Sequence, residues 1–378
     1  MKVAFHPSIA EIGRERWDGL SDHAYPFISY AFLSALEDSG AVGPGTGWRP
    51  LHLSVSEGED IVALLPLYLK HDSWGEFVFD FSWANLFGQY GCAYYPKLVN
   101  AIPFTPTTGP RYLLADQSSW SLICPLVADA LADLADRHQI SSFHSLFHRD
   151  EGCWRGTGFM VRHGCQFHWH NRGYRDFADY LDQFTSKRRR AVLKERAKVR
   201  DQKVHVRRIL GAEMTDDEWR CLYRFYRLTF EHKSGYVPFE EATFEALRTQ
   251  MADRILGVFA EKAGCLMGGA LLVVGANCLY GRYWGAQEHI DCLHFEVCYY
   301  QGIEYAIEQK IDRFEPGAQG EFKILRGFEP VATWSSHEIY HPTFKSAIAN
   351  FVEMERRNVT SYHREAQNLL PFSLKARR

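Results

Sequence analysis

The stretch "EPGAQGEFKILRGFEP", residues 315 to 330, gathers three glycines, several carboxylates, a lysine and an arginine at the end of an otherwise apolar segment. Gly317 and Gly320 allow a tight backbone path there. Gln319 and Glu321 can orient an amine or a hydroxyl, while Lys323 and Arg326 can neutralise an oxyanion or a phosphate. A second concentration of charge lies between 187 and 208, where eleven Lys or Arg stand against two acids, Glu195 and Asp201. In helical register Arg190, Lys194 and Lys198 share one face, and Val192 and Val199 supply an apolar stripe to dock it. Such a face suits the phosphates of a polyanion. No aromatics interleave it, so stacking on single-stranded bases is not suggested.

The elements that must position these residues alternate between strand and helix patterns, and the order recurs in both halves. In the first half "KVAFH" is strand-like. "SIAEIGRERWDGL" and "SYAFLSALEDSG" follow as Ser-capped helices, then the hairpin "LHLSVS"/"IVALLPLYL". An aromatic insertion (74–95), the strand "KLVNAIPF", the loop "TPTTGPR", a helix over 118–138 and the strand "SSFHSLF" complete it. In the second half the basic helix 186–201 precedes strand "VHVRRIL", helices 215–231 and 240–251, a hairpin from Ile255, "NCLYGRYWG", helix 293–310 and strand "IDRFE". This predicts an α/β (α+β) chain of two domains, 1–173 and 174–378, each a mixed, mostly antiparallel sheet flanked by helices.

Composition agrees with a folded chain of that size. The 378 residues are 46% hydrophobic and 15% aromatic, ample for two cores, and the net charge of −3 confines any polyanion contact to a local patch. The nine cysteines form no C-x-x-C pair and read as mostly buried, reduced thiols, with no metal site. No apolar leader and no eighteen-residue apolar run is present, so the expectation is a cytoplasmic protein without a membrane span. A Ser or Cys hydrolase is disfavoured because G-x-S-x-G is missing, and neither a Walker motif nor a Rossmann fingerprint occurs.

The order strand, two helices, three antiparallel strands, helix, strand resembles the GNAT acyltransferase fold, and a tandem pair resembles the FemAB-like aminoacyltransferases. "FTSKRRRAVLKERAKVRDQKVHV" looks like the helix that opens the second domain in those proteins. "YYPKLVNAIPFTPTTGPRYL", "QFHWHNRGY", "LHFEVCYYQGIEYAI" and the stretch around Lys323 resemble FemAB-like predicted N-acyltransferases, bacterial relatives named for peptidoglycan biosynthesis or recognition. The resemblance runs from about residue 10 to about 365. It implies tandem GNAT-like domains and transfer of an acyl or aminoacyl group to an amine, with aminoacyl-tRNA or acyl-CoA as donor and no tightly bound cofactor. Lys323 matches the family's lysine, but Phe322 stands where a histidine is expected, so no role of that histidine carries over.

Amine acylation needs a grip on the donor, an acceptor for the amine's proton, and stabilisation of the oxyanion. The phosphate-binding pattern Q/R-x-x-G-x-G/A is missing, "RYWGAQ" (282–287) being the nearest approach. In "TPTTGPR", Thr107, Thr108, Gly109 and Arg111 are the alternative donor site, with Arg111 as a bidentate phosphate ligand. Candidate bases are Glu321, His144, His168 and Glu296, the last a carboxylate on an apolar helix. A non-catalytic module that recognises a polyanion or cell-wall precursor, and a simple acyl-CoA-dependent N-acetyltransferase, are the alternative functions.

Overall fold

The computed structural model describes residues 1–233, 236–318 and 320–373. They form two compact units, Met1–Cys165 with Ala332–Tyr362, and Gln166–Val331 with the chain from His363. The expected division at 173/174 therefore falls a few residues late and misses a return of the chain to the first unit. The reason for the first difference is pairing: His170 and Trp169 register with Arg313 and Phe314, which draws 166–170 into the second unit.

The first unit opens with β1 (Lys2–His6), followed by α1 (Ile9–Ile12) and α2 (Arg14–Asp18), where the sequence pattern predicts one helix. Gly13, at φ 87, interrupts it. Helix α3 (Tyr30–Asp38) is capped as expected, the Ser29 hydroxyl accepting the Phe32 N–H at 3.2 Å. Next come β2 (Trp48–Pro50), β3 (His52–Glu57), β4 (Asp60–Leu65) and β5 (Tyr68–Lys70). The expected hairpin forms between β3 and β4, but its second arm stops at Leu65. Pro66 cannot donate to a ladder, and beyond it the chain joins a different sheet through β5. The aromatic insertion carries α4 (Phe81–Gln89); β6 (Lys97–Asn100), β7 (Leu113–Leu114), α5 (Trp120–His138), β8 (Ser142–His148) and β9 (Met160–His170) follow. One sheet has the order β1-β3-β4-β7, and β8, β6, β5 and β2 neighbour one another in that order in the other. Helix α5 buries Ile123, Val127 and Leu131 at i, i+4 spacing, in one core with Leu53, Leu65, Leu98 and Phe143.

The second unit contains α6 (Phe177–Asp182), α7 (Ser186–Asp201), β10 (His205–Leu210), α8 (Asp216–Lys233), α9 (Glu241–Met251) and the strands β11 (Ile255–Lys262), β12 (Cys265–Val274) and β13 (Cys278–Ala286). Helix α10 (Leu293–Phe295) runs through a π-helical turn, Glu296–Tyr300, into α11 (Gln301–Glu308). Strand β14 (Arg313–Glu315) and a 3₁₀ turn, Glu321–Arg326, complete this stretch. The strands order as β10-β11-β12-β13-β14-β9. All pairs are antiparallel except β13 with β14. Strand β15 (Glu329–Ile339) then returns to the first unit, where Trp334–Ile339 pairs with β8, and α12 (Pro342–Asn368) closes the chain order. No described helix is long and apolar enough to cross a membrane.

The first unit also buries charge. The Lys97 ammonium has no exposure and donates to Ser73 Oγ at 2.9 Å, to Glu76 Oε2 at 2.9 Å and to Asp80 Oδ2. Tyr94 donates to the same Asp80 oxygen at 2.6 Å. One cation faces two carboxylates, so the two acids titrate differently. Burial disfavours both anions, but at Asp80 it is outweighed by Lys97 together with His144 and the Ser73 hydroxyl, and the group is held at about 2. Burial wins at Glu76, raising it from 4.5 to about 7 against the pull of Lys97. Between those two values the folded chain keeps a proton at Glu76 that the unfolded chain has lost, so this group's stabilisation is full below 4.5 and fades as pH rises through about 7. Thermal melts at pH values either side of that window should therefore show wild-type stability falling with rising pH and a flatter dependence in Glu76→Gln. Lys97→Ala, which strands Asp80 in the interior, is expected to cost roughly 3–5 kcal/mol by denaturant titration.

Candidate functional site

In the second unit the parallel pair β13/β14 holds together over only three registers, Cys278↔Arg313, Leu279↔Phe314 and Tyr280↔Glu315. Beyond them β13 continues to Ala286 while the other chain leaves at Pro316. On its other side β13 pairs Gly281 with Leu272 and Tyr283 with Leu271, so Arg282 is an extra residue. A bulge of this kind bends the strand and re-aims its side chains. At the parting point a Cβ on Gly281 would lie 3.1 Å from the Pro316 Cα, so a side chain there would press on the departing backbone.

The segment after β14 folds around its own lysine. Gly317 and Gly320 take positive φ, as the sequence predicts, and the 3₁₀ turn Glu321–Arg326 follows. Lys323, 1% exposed, turns back to donate to the Gly317 carbonyl at 2.6 Å. Among the described residues it makes no ion pair. Burial therefore decides its charge, lowering the amine to about 7 while nearby Cys298 pulls weakly the other way. The turn thus has two sides: Lys323 and Arg326 are buried, Glu321 and Phe322 exposed. Gln319 lies outside the described residues.

Arg326 is held from every side. It donates to Glu195 from Nε at 3.2 Å and Nη2 at 2.7 Å, and from Nη1 to the Phe322 carbonyl at 2.7 Å. Its Cζ lies 3.4 Å from the centre of the Phe295 ring. Tyr300 donates to Glu195 and lies 3.1 Å from Arg326 Nε, and Tyr180 donates to the Arg326 carbonyl at 2.7 Å. The next residue of α7, Arg196, reaches Glu296 at 2.9 and 3.1 Å and Glu304 at 2.5 Å. Glu296, a candidate base by sequence, is thereby committed to an ion pair and to the Gln301 amide at 2.8 Å. The π-helical turn sets this register, placing Glu296 and Tyr300 toward α7.

The other candidates do not join this group. His144 belongs to the first unit, where its Nδ1 lies 2.6 Å from His337 Nδ1 and its Nε2 2.8 Å from Ser142 Oγ. Burial pushes it down to about 3, so it is a neutral packed histidine rather than a base poised near neutrality. His168, in the second unit, is buried beside Gln166 at 3.2 Å and Glu315 at 3.8 Å, and burial with nearby Arg313 keeps it neutral. The expected donor loop is also differently employed. Arg111 has no exposure and spends its guanidinium on the carbonyls of Leu146, Pro110 and Thr107, so it builds a turn rather than presenting a fork to phosphate. Thr107 is buried against Tyr25, Thr108 is half-buried, and a Cβ on Gly109 would lie 2.5 Å from the Tyr25 ring. Gly109 is required by that packing.

Helix α7 has the limits its composition predicts, Ser186–Asp201, with Val192 and Val199 buried. Lys187, Arg190 and Lys194 are exposed and make no ion pair among the described residues, whereas Lys198 is bound to Asp291 at 2.6 Å. The basic face is therefore real but loses Lys198. The cysteines are all free, though three of nine are buried rather than most. No cluster of metal-ligating side chains occurs among the described residues. Sequence reasoning missed Glu195, Tyr300 and Phe295; Glu195 alone left a signal, as an acid in a basic run.

The sequence matches the profile of the FemAB-like family, described as peptidoglycan biosynthesis/recognition, over residues 8–374. Among curated proteins none matches. The crystal structure of FemX is similar at a TM-score of 0.54 and 10% identity, covering 92% of this chain and 100% of FemX. A conserved protein of unknown function from Bacteroides thetaiotaomicron VPI-5482 is similar at 0.51 and 12% identity, covering 89% of this chain and 99% of that one. At these identities the likeness is one of fold, and it agrees with mixed, mostly antiparallel sheets flanked by helices.

The Arg196 pair gives a direct test of how the site is held. Replacing Arg196 with Ala leaves the buried Glu296 carboxylate without its cation, and a loss of roughly 3 kcal/mol in denaturant-measured stability is expected. Glu296→Gln, which keeps the Gln301 contact and removes the charge, should recover part of that loss in the double variant.

Proposed function

The chain belongs to the FemAB-like family, and from that premise we propose that it is an N-acyltransferase that moves an acyl or aminoacyl group onto an amine, with Lys323 as the group that manages the proton. The observation that carries this reading is a buried amine held near neutrality at the open end of the β13/β14 pair. An attacking amine becomes nucleophilic only as it loses a proton, and a neutral lysine can accept it. The nitrogen attacks the acyl carbon, the bond to the donor's leaving oxygen or sulfur breaks, and the resulting ammonium of Lys323 can return the proton to the leaving group. The charge it gains at that moment also lies beside a developing oxyanion.

For the donor, the exposed Lys187, Arg190 and Lys194 on α7 favour a polyanion, and aminoacyl-tRNA is the donor class that combines an activated acyl group with that charge. The missing pyrophosphate pattern in β13 and the following segment weighs in the same direction, against acyl-CoA. A cytoplasmic location follows from such a donor. A non-catalytic recognition module would need the site disabled, and Phe322 leaves Lys323 in place.

Thermal-shift measurements with aminoacyl-tRNA, acetyl-CoA and CoA identify the donor to assay, because a ligand bound to the native state raises its melting temperature. With that donor, Lys323→Ala should lower kcat by about 10²–10⁴-fold. Wild-type activity should rise with pH through about 7 as the amine becomes neutral. A Lys323→Ala enzyme of undiminished kcat sinks the catalytic reading. Reversing charge at Lys187, Arg190 and Lys194 should weaken tRNA binding and flatten its dependence on salt by roughly one slope unit per lost phosphate contact.

A further inference from the structure

Glu195 stands out in α7 as an acid within a run of basic residues, turned inward to Arg326. We infer that Glu195 and Arg326 form a positioning clamp that keeps the 3₁₀ turn closed over Lys323 and so keeps its amine out of water. The inference deepens the reading of Lys323 as the proton-handling group but stands on the geometry of the turn alone.

Besides the clamp, the Tyr180 hydroxyl on the Arg326 carbonyl and the buried Ile324 side chain hold the turn. It spans six residues, short for cooperative helical structure, and it closes over a group that water would strongly prefer to solvate. The Lys323 side chain contributes one hydrogen bond among the described residues, to the Gly317 carbonyl. Arg326 lies three residues further along the same turn and ties it in three directions: to α7 through both Glu195 oxygens, to its own backbone through the Phe322 carbonyl, and to the Phe295 ring beneath the guanidinium. Glu195 is held in turn by Tyr300, so the clamp is anchored to the π-helical turn as well. Fork-on-carboxylate geometry of this kind fixes orientation more strictly than a single bond does. Opening the clamp frees the end of the turn and lets water reach the amine. Hydration stabilises the ammonium, so the proton affinity of Lys323 must rise.

Competitive labelling of the intact protein with trace acetic anhydride, an amine-selective acylating reagent, reads this without any assay of turnover. Acetylation of the peptide containing Lys323 is followed by mass spectrometry from about pH 6 to 10, a range reaching the ordinary lysine value near 10.4. The remaining lysines serve as the internal reference. Wild-type protein should label with a midpoint at about 7. In Glu195→Ala the midpoint should move up by at least one pH unit, and Glu195→Gln, which retains the hydrogen-bonding shape, should move it less. Arg326→Lys, which keeps the cation but loses the fork, is the second route and should shift it in the same direction. An ordinary midpoint in the wild type overturns the proposal, as does an unmoved midpoint in either Glu195→Ala or Arg326→Lys protein that melts cooperatively. Turnover by Lys323→Ala bears only on catalysis: full activity there with a clamp-dependent midpoint removes the catalytic role and leaves the clamp standing.

Discussion

Burying a lysine ammonium without a carboxylate is costly, and that constraint separates the two buried amines that matter most in this chain. Lys97 is surrounded by Glu76 and Asp80 and stays charged, its proton affinity raised by them against burial. Lys323 is offered a carbonyl and no anion among the described residues, and burial brings it down to about 7. The first arrangement is a structural strut that ties the aromatic insertion to β6. The second is an amine whose proton affinity burial lowers well below the ordinary lysine value. The same residue type, buried to the same degree, has its proton affinity raised or lowered according to whether a carboxylate is at hand.

The parting of β13 from β14 follows from short-range causes. Arg282 adds a residue to β13 that β12 does not match, and the chain leaving β14 passes close over Gly281. Parallel pairing therefore ends after three registers. That ending gives the segment after Glu315 room to fold back on itself. Were the pair to continue, residues 317 to 326 would be strand, and at about 3.3 Å per residue Lys323 would lie roughly 20 Å along it from Gly317 instead of folding back onto its carbonyl. The ion pairs between α7 and the π-helical turn then secure what the departing strand has left loose.

Much of this frame was legible in the sequence because local signals and tertiary packing agree. The basic helix was placed at 186–201 because its charge and the Val192/Val199 stripe both demand a helix docked along one side. The β11/β12 hairpin and the strand after it were read from alternation and turn residues. What stayed illegible depends on partners distant in sequence. Glu296 reads as an acid on an apolar helix that must face either the site or a basic partner, and the choice is open until Arg196, a hundred residues earlier, is brought to it. His144 reads as a free imidazole until His337 arrives from β15. Arg111 reads as a phosphate ligand because nothing local reveals the Leu146 carbonyl it will meet. The domain limits went astray for the same reason, since the return of the chain through β15 leaves no compositional mark.

Phe322 bears on whether the site is idle, and the geometry argues that it need not be. Its ring is partly exposed and neighbours His294, Phe295 and Tyr299 at 5.7, 5.9 and 6.1 Å between ring centres. Phe295 is also the ring on which Arg326 lies. An aromatic at 322 thus extends the apolar wall behind the clamp, where an imidazole would bring a second titrating group within one residue of Lys323. Like charges on adjacent side chains depress one another's proton affinity, so a histidine there would make the state of the lysine depend on its own. Phenylalanine adds no such charge, and burial remains the main influence on the amine, with Cys298 opposing it.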